Sequence, residues 1–154
     1  MIVNVIGAGL AGCEAAYQLS KRGVSVRLYE SKPMVKSPAH HENTFAELVC
    51  SNSLKSDDVS TASGLLKAEL RRLDSLLIKI ADEVKVPAGS ALAVDRDLFT
   101  AKVTEYIKND KNIEIIPSLV EDWKNDEITI IATGPLTIGK LADNISEKLG
   151  GSLH

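Results

Sequence analysis

The chain opens on a short apolar run, Ile2 to Ile6, that ends in glycine and leads into a stretch with helical character from Leu10 to Arg22. An apolar run of strand length, a turn and then a helical period predict strand, turn and helix in that order. Gly23 closes the helix, and the alternating, β-branched segment Val24 to Tyr29 predicts a second strand. Periodicity then disappears until about residue 62, in a stretch holding Pro33, Pro38, His40, His41 and the polar cluster Cys50-Ser51-Asn52-Ser53. Phe45, Leu48, Val49 and Leu54 give this stretch something to bury, so an ordered loop with a short helical turn is expected. From Ala62 to Val84 the apolar positions Leu66, Leu70, Leu73, Leu77, Ile80 and Val84 step by three and four, which predicts one long amphipathic helix.

Pro87 and Gly89 end that pattern. A short apolar stretch, Ala91 to Val94, follows, and Asp95 is suited to cap a helix running to about Asn109. Ile113 to Ile116 and Ile128 to Ala132 are β-branched runs of strand length, and the second leads through Thr133-Gly134-Pro135 into a last helix from about Thr137 to Leu149. Strands alternating with helices predict a mainly parallel sheet with right-handed crossovers, its strands lying side by side in the order Ile113, Val24, Ile2, Ile128. The expected class is α/β and Rossmann-like, a single domain over 1–154 with a functional loop and helical insertion over about 31–90.

Composition adds little to this and excludes a few things. With 154 residues, 44% hydrophobic and 25% charged, the chain can bury one ordinary core. A formal net charge of −3 does not advertise nucleic acid, so any RNA contact has to come from a local basic patch. Lys67, Arg71, Arg72 and Lys79 on the long helix offer one, although such a face is commonly plain solvated surface. Cys13 and Cys50 show no disulfide spacing, which fits a reducing cytoplasm. Ile2 to Ile6 is too short to span a bilayer and lacks the basic lead of a signal peptide, so no membrane partner is expected. Ligands at metal-type spacing are missing too, so no metal site is expected.

Chemistry is concentrated where strands end. Gly7-Ala8-Gly9-Leu10-Ala11-Gly12 joins the first strand to the first helix. In that setting the first glycine makes the tight turn, the second lets a pyrophosphate approach the backbone, and the third lets helix pack on strand. Glu30, at the carboxyl end of the second strand, is the acid that such a site uses for ribose hydroxyls, and it favours FAD or NAD(H) over NADP(H) there. Thr133 and Gly134 end the last strand in an Ala-Thr-Gly string that recurs in flavoproteins; the plainer reading is a turn before Pro135. Asp95 and Arg96 read equally as cofactor contacts or as a helix cap and a surface cation. Cys13, inside the first helix, is better read as packing. His40 and His41 suit phosphate binding or proton transfer, or simple exposure. Cys50 among Ser51, Asn52 and Ser53 is a candidate nucleophile, against the common fate of cysteine as a small buried hydrophobe.

The stretch Pro38-Ala39-His40-His41 with Phe45-Ala46-Glu47-Leu48-Val49-Cys50-Ser51-Asn52-Ser53-Leu54 resembles the folate- and FAD-dependent tRNA (uracil-5-)-methyltransferases, the TrmFO family. The resemblance continues through Leu70 to Leu76, through Pro87-Ala88-Gly89 and Ala91 to Arg96, and to Ala132-Thr133-Gly134-Pro135-Leu136. It implies transfer of a methylene group from methylenetetrahydrofolate to C5 of a T-loop uridine in tRNA, with FAD as carrier and reductant and NAD(P)H as electron source. It also implies that Cys50 attaches covalently to the uracil ring. Full members of the family are much longer, so an amino-terminal portion is expected, with a carboxyl-terminal half or partner chain supplying the rest. Two other readings stay open: a related flavoprotein of tRNA wobble-uridine modification, and a non-catalytic dinucleotide-binding module.

Overall fold

The computed structural model describes residues 1–137 and 139–150. Its main sheet contains β1 (Ile2–Ile6), β2 (Ser25–Glu30), β6 (Ile113–Pro117) and β7 (Thr129–Ile131), all parallel, in the order β6-β2-β1-β7. This is the predicted order. Register follows from burial: Val3 and Val5 in β1 share a face with Val26 and Leu28 in β2 and Ile113 in β6, all nearly inaccessible to solvent. A one-residue slip would turn that set outward.

Helices α1 (Leu10–Lys21) and α4 (Arg96–Asn109) cover this face through Cys13, Ala16 and Tyr17 on one and Phe99, Val103 and Ile107 on the other. Gly23, at φ +75°, ends α1 as expected, because the left-handed conformation costs glycine little. Asp95 caps α4 by accepting from the Leu98 amide at 3.0 Å, so the capping reading holds.

The segment expected to be one long helix is two, α2 (Ala62–Arg72) and α3 (Leu76–Glu83). Asp74 stands at φ +57°, and Ser75 starts α3 as its cap, accepting from the Ile78 amide. Glu14 on α1 fixes the break, accepting from Ser75 Oγ at 2.8 Å and from the Leu76 and Leu77 amides. Leu76, Ile80 and Val84 enter the core, while Leu66 and Leu73 remain exposed. Half of the basic face is spent internally, while Arg72 and Lys79 stay exposed. Lys67 is buried and donates to the Ser56 and Ser63 carbonyls, and Arg71 pairs with Asp57 and Asp82.

The loop after β2 is ordered and opens on the short helical turn expected, closed by the Val35 amide donating to the Ser31 carbonyl at 2.9 Å. Further on, β3 (Ser53–Ser56) pairs antiparallel with β5 (Ala91–Val94), which also takes β4 (Lys85–Val86), in a second, three-stranded sheet. The last helix, α5 (Lys140–Leu149), starts three residues later than expected, after Gly139 at φ +67°. Among the described residues no helix is long and apolar enough to cross a membrane.

Candidate functional site

At the carboxyl edge of the main sheet lies a cavity of about 640 Å³. The end of β1 and the glycine turn supply Ile6, Gly7, Gly9, Leu10 and Ala11; β7 and its exit supply Ile131, Ala132, Thr133 and Gly134; β2 supplies Tyr29 and Glu30. An open α/β sheet binds its ligands at this edge. Ala8 and Gly12 belong to the same turn but lie behind the wall, both buried.

Each glycine has a separate reason to be there. Gly7 stands at φ +98°, and a Cβ on it would meet the Ala132 carbonyl oxygen at 2.8 Å. A Cβ on Gly12 would meet the Gly7 carbonyl oxygen at 1.8 Å. Gly9 has open space in place of such neighbours, with nothing within 4 Å. The turn is therefore tight on its inner side and bare on the side of the cavity. Gly9 also begins α1, and no side chain caps that helix end. The first amides of α1 have no partner within the helix, so they and the helix dipole present positive charge to the cavity.

Glu30 is buried and held by backbone. Its Oε2 accepts from the Ala8 amide at 2.8 Å, and its Oε1 accepts from the Lys32 amide at 2.9 Å. The acid is thus anchored to the glycine turn across the strand ends. Gly134, at φ +76°, turns the exit of β7 along the cavity, which Pro135, Leu136 and Thr137 go on to line, and Thr133 Oγ1 shares a 2.6 Å hydrogen bond with Thr137 Oγ1.

Cys50 does not line this cavity. Its neighbour Val49 does, and the thiol itself is exposed at the start of the link to β3. Cys13 is fully buried, and burial pushes its thiol up to about 12, with the charge of Glu30 adding to the effect. It packs, as read. His40 reaches the cavity wall with Nδ1 2.6 Å from Ser37 Oγ, whereas His41 is exposed. Asp95 and Arg96 are exposed and absent from the lining. No group of three or more potential metal ligands occurs among the described residues.

Sequence reasoning missed Lys32 and Glu47. Their side chains are 7% and 6% exposed, both line the cavity, and Nζ stands 3.7 Å from Oε2. Burial alone would raise the Glu47 carboxyl, but the His41 and Glu42 amides that it accepts from, and then Lys32, hold it below the usual carboxylate range. Charged residues in an aperiodic loop carry no pattern that announces burial. The one available signal was that Lys32 lies two positions beyond Glu30.

A parallel sheet with a glycine turn, an uncapped helix end and a buried acid on one edge defines a protein of the Rossmann-like α/β class. The chain belongs to the family described as glucose inhibited division protein A, whose model matches residues 2–151. It is 57% identical over 153 residues to the methylenetetrahydrofolate--tRNA-(uracil-5-)-methyltransferase TrmFO of Acetivibrio thermocellus, covering 99% of this chain and 35% of that protein. It is 61% identical over 148 residues to the TrmFO of Fusobacterium nucleatum, covering 96% of this chain and 34% of that protein. The resemblance drawn from the Cys50 segment is borne out, and the chain spans about a third of the length of these curated relatives. A solved structure of Aquifex aeolicus GidA superposes with a TM-score of 0.62 at 19% identity, over 80% of this chain and 21% of that one, and supports the fold.

Proposed function

We propose that this chain forms the dinucleotide site and carries the nucleophile of an FAD- and methylenetetrahydrofolate-dependent methyltransferase acting on C5 of a T-loop uridine in tRNA. One observation carries the cofactor half of this reading: bare Gly9, the uncapped start of α1 and the buried acid Glu30 share one cavity wall. These residues fit FAD. Gly7, Gly9, Leu10 and Ala11 would hold its pyrophosphate against backbone amides, with Ala8 and Gly12 shaping the turn behind them. Glu30 would accept from ribose hydroxyls, and Thr133 with Gly134 would border the ligand on the side of β7. Bound FAD, reduced by NAD(P)H, would supply the electron pair that turns a transferred methylene into a methyl group.

The nucleophile would be Cys50. C5 of uracil is weakly nucleophilic until a group adds at C6; a thiolate can form that bond, leaving electron density on C5, and break it again when the C5 proton is lost. An exposed thiol next to a residue of the cavity wall suits a reaction between a large RNA and a buried cofactor. A uridine from a folded loop would have to leave its stack to get there. Two free cysteines agree with work in a reducing cytoplasm.

The second reading is a dinucleotide-binding module without catalysis, favoured by the absence of Cys50 from the cavity wall. Two measurements separate the readings. Visible absorbance after addition of FAD, with flavin quantified per chain, tests the cofactor site. Covalent trapping of 5-fluorouridine tRNA by the wild type and not by Cys50→Ala tests the nucleophile. Flavin without any adduct selects the module, and neither result refutes both.

A further inference from the structure

Four links form a ring at the cavity wall, which Glu30, Lys32 and Glu47 all line. The Lys32 amide donates to Glu30 Oε1, the Ala8 amide donates to Glu30 Oε2, and the Ala8 carbonyl accepts from the Ala46 amide at 2.9 Å. Glu47, next in the chain to Ala46, closes the ring by facing Lys32. Lys32 Nζ also donates to the Thr44 carbonyl, so one ammonium holds the loop at two points. Ala46 sits at φ +51°, a left-handed conformation that costs alanine about 1 kcal/mol and persists only where its surroundings impose it. Glu47 Oε2 is buried with no hydrogen-bond partner. A charge so placed is tolerable because the His41 and Glu42 amides donate to the other oxygen and a cation, Lys32, faces this one.

This ring sits a few residues ahead of Cys50. On the far side, Asn52 is tied to β5, its carbonyl accepting from the Val94 amide at 2.9 Å and its Nδ2 donating to the Val94 carbonyl at 3.1 Å. Cys50 therefore rides on a short span anchored at both ends, and the first anchor is part of the cavity wall. We propose that the Lys32–Glu47 pair is a positioning device that holds the Cys50 segment against the dinucleotide site. The inference rests on the reading of Cys50 as the nucleophile. Its test does not use RNA chemistry.

The two cysteines make the experiment self-controlled, since Cys50 is exposed and Cys13 is 0% exposed. Alkylation under native conditions, followed by peptide mass spectrometry, reads loosening of the loop at Cys50 and unfolding at Cys13. In Lys32→Met and in Glu47→Gln the Cys50 rate should change by about threefold or more, and exchange protection of the Ala46 amide should drop about tenfold, with Cys13 still unlabelled. Lys32→Arg, which keeps the cation, should restore both. Saturating FAD should alter the Cys50 rate in wild type and Lys32→Arg and leave it unaltered in Lys32→Met. Unchanged rates and protection in both charge-removing variants, or failure of arginine to rescue, would overturn the proposal. If Lys32→Met exposes Cys13, the isosteric Glu47→Gln decides. If flavin fails to bind, the cofactor reading falls, while the flavin-free rates still decide the role of the pair.

Discussion

Gly12→Ala and Gly9→Ala each add one methyl group to the same turn, and they should fail in opposite ways. At Gly12 the new carbon would stand 1.8 Å from the Gly7 carbonyl oxygen, where ordinary contact begins at 3.4 Å. The shortfall of about 1.6 Å falls between backbone atoms, so no side-chain rotation absorbs it. Nor can the turn back away, because the Cβ direction of Gly7 is itself closed by the Ala132 carbonyl oxygen at 2.8 Å. Relief requires moving α1 off the sheet, at the upper end of what overpacking costs, about 3 to 4 kcal/mol. For a chain of this size that lowers the melting temperature by about 10 °C.

At Gly9 the same methyl meets nothing within 4 Å, and φ of −72° suits any residue. The fold should lose no more than about 1 kcal/mol, the scale of a changed helix cap. What changes is the cavity, because the methyl projects from bare backbone where the pyrophosphate would lie. FAD affinity should fall about tenfold or more, equivalent to about 1.4 kcal/mol. Thermal melts by circular dichroism and flavin titrations on the three proteins separate the effects. A Gly12→Ala melt close to wild type would refute the steric argument. Undiminished FAD binding by Gly9→Ala would refute the assignment of the cradle.

Three further outcomes follow from charge and burial. Cys13 keeps its proton in the folded chain up to about 12, whereas an unfolded thiol ionises near its ordinary 9.0. The unfolded state then binds fewer protons, so stability falls as pH rises between those values, by at most about 1.4 kcal/mol per pH unit. Cys13→Ala should flatten that slope in denaturant midpoints taken at about pH 8 and pH 10; an unchanged slope would sink the idea. Glu47 runs the other way. Its folded carboxyl lies below the ordinary 4.5, so its contribution is present above that pH and is lost as pH falls through the folded value. Glu47→Gln should lose less stability than wild type over that acid range, as followed by melts in titrated buffers. Lys67→Met removes a buried donor lying 2.8 and 3.0 Å from the Ser56 and Ser63 carbonyls, leaving the Ser56 carbonyl only the 3.3 Å bond from Ser63 Oγ. It should cost about 2 to 3 kcal/mol in chemical denaturation, and a loss near zero would show that water replaces the ammonium.

Much of the main sheet was legible because its determinants act locally or pairwise along the chain. Strand order followed from alternating strands and helices and the handedness of crossovers, and the site edge from what stands at each strand end. Glycine and acid were readable because the turn restricts backbone, and a backbone restriction leaves few residue types to choose from. The small second sheet was not legible. Ser53 to Ser56 has little apolar content and β4 is two residues long, so both depend on pairing with β5 more than on their own propensity. Lys32 and Glu47 were hidden for a similar reason, since their burial comes from a loop folding back onto the glycine turn and α4, and no local pattern encodes that.

The split between α2 and α3 shows where periodicity stops being informative. Leu66, Leu70 and Leu73 continue the step of Leu77, Ile80 and Val84, yet Leu66 is 55% and Leu73 66% exposed. Spacing reports which residues share a side of a helix, and an interrupted helix can keep that spacing across the interruption. The signal that could have revealed the break was chemical. Asp74 tolerates a left-handed backbone better than most residues, and Ser75 is a strong start for a helix, so Asp74-Ser75 reads as a stop followed by a cap. Glu14 then decides between the continuous and the broken helix. Its carboxylate takes the Ser75 hydroxyl and the first two amides of α3, groups that a continuous helix would have satisfied internally, and it does so from α1, directly behind the glycine turn. The same helix thus presents its start to the cavity and uses its first turns to set the direction of α3.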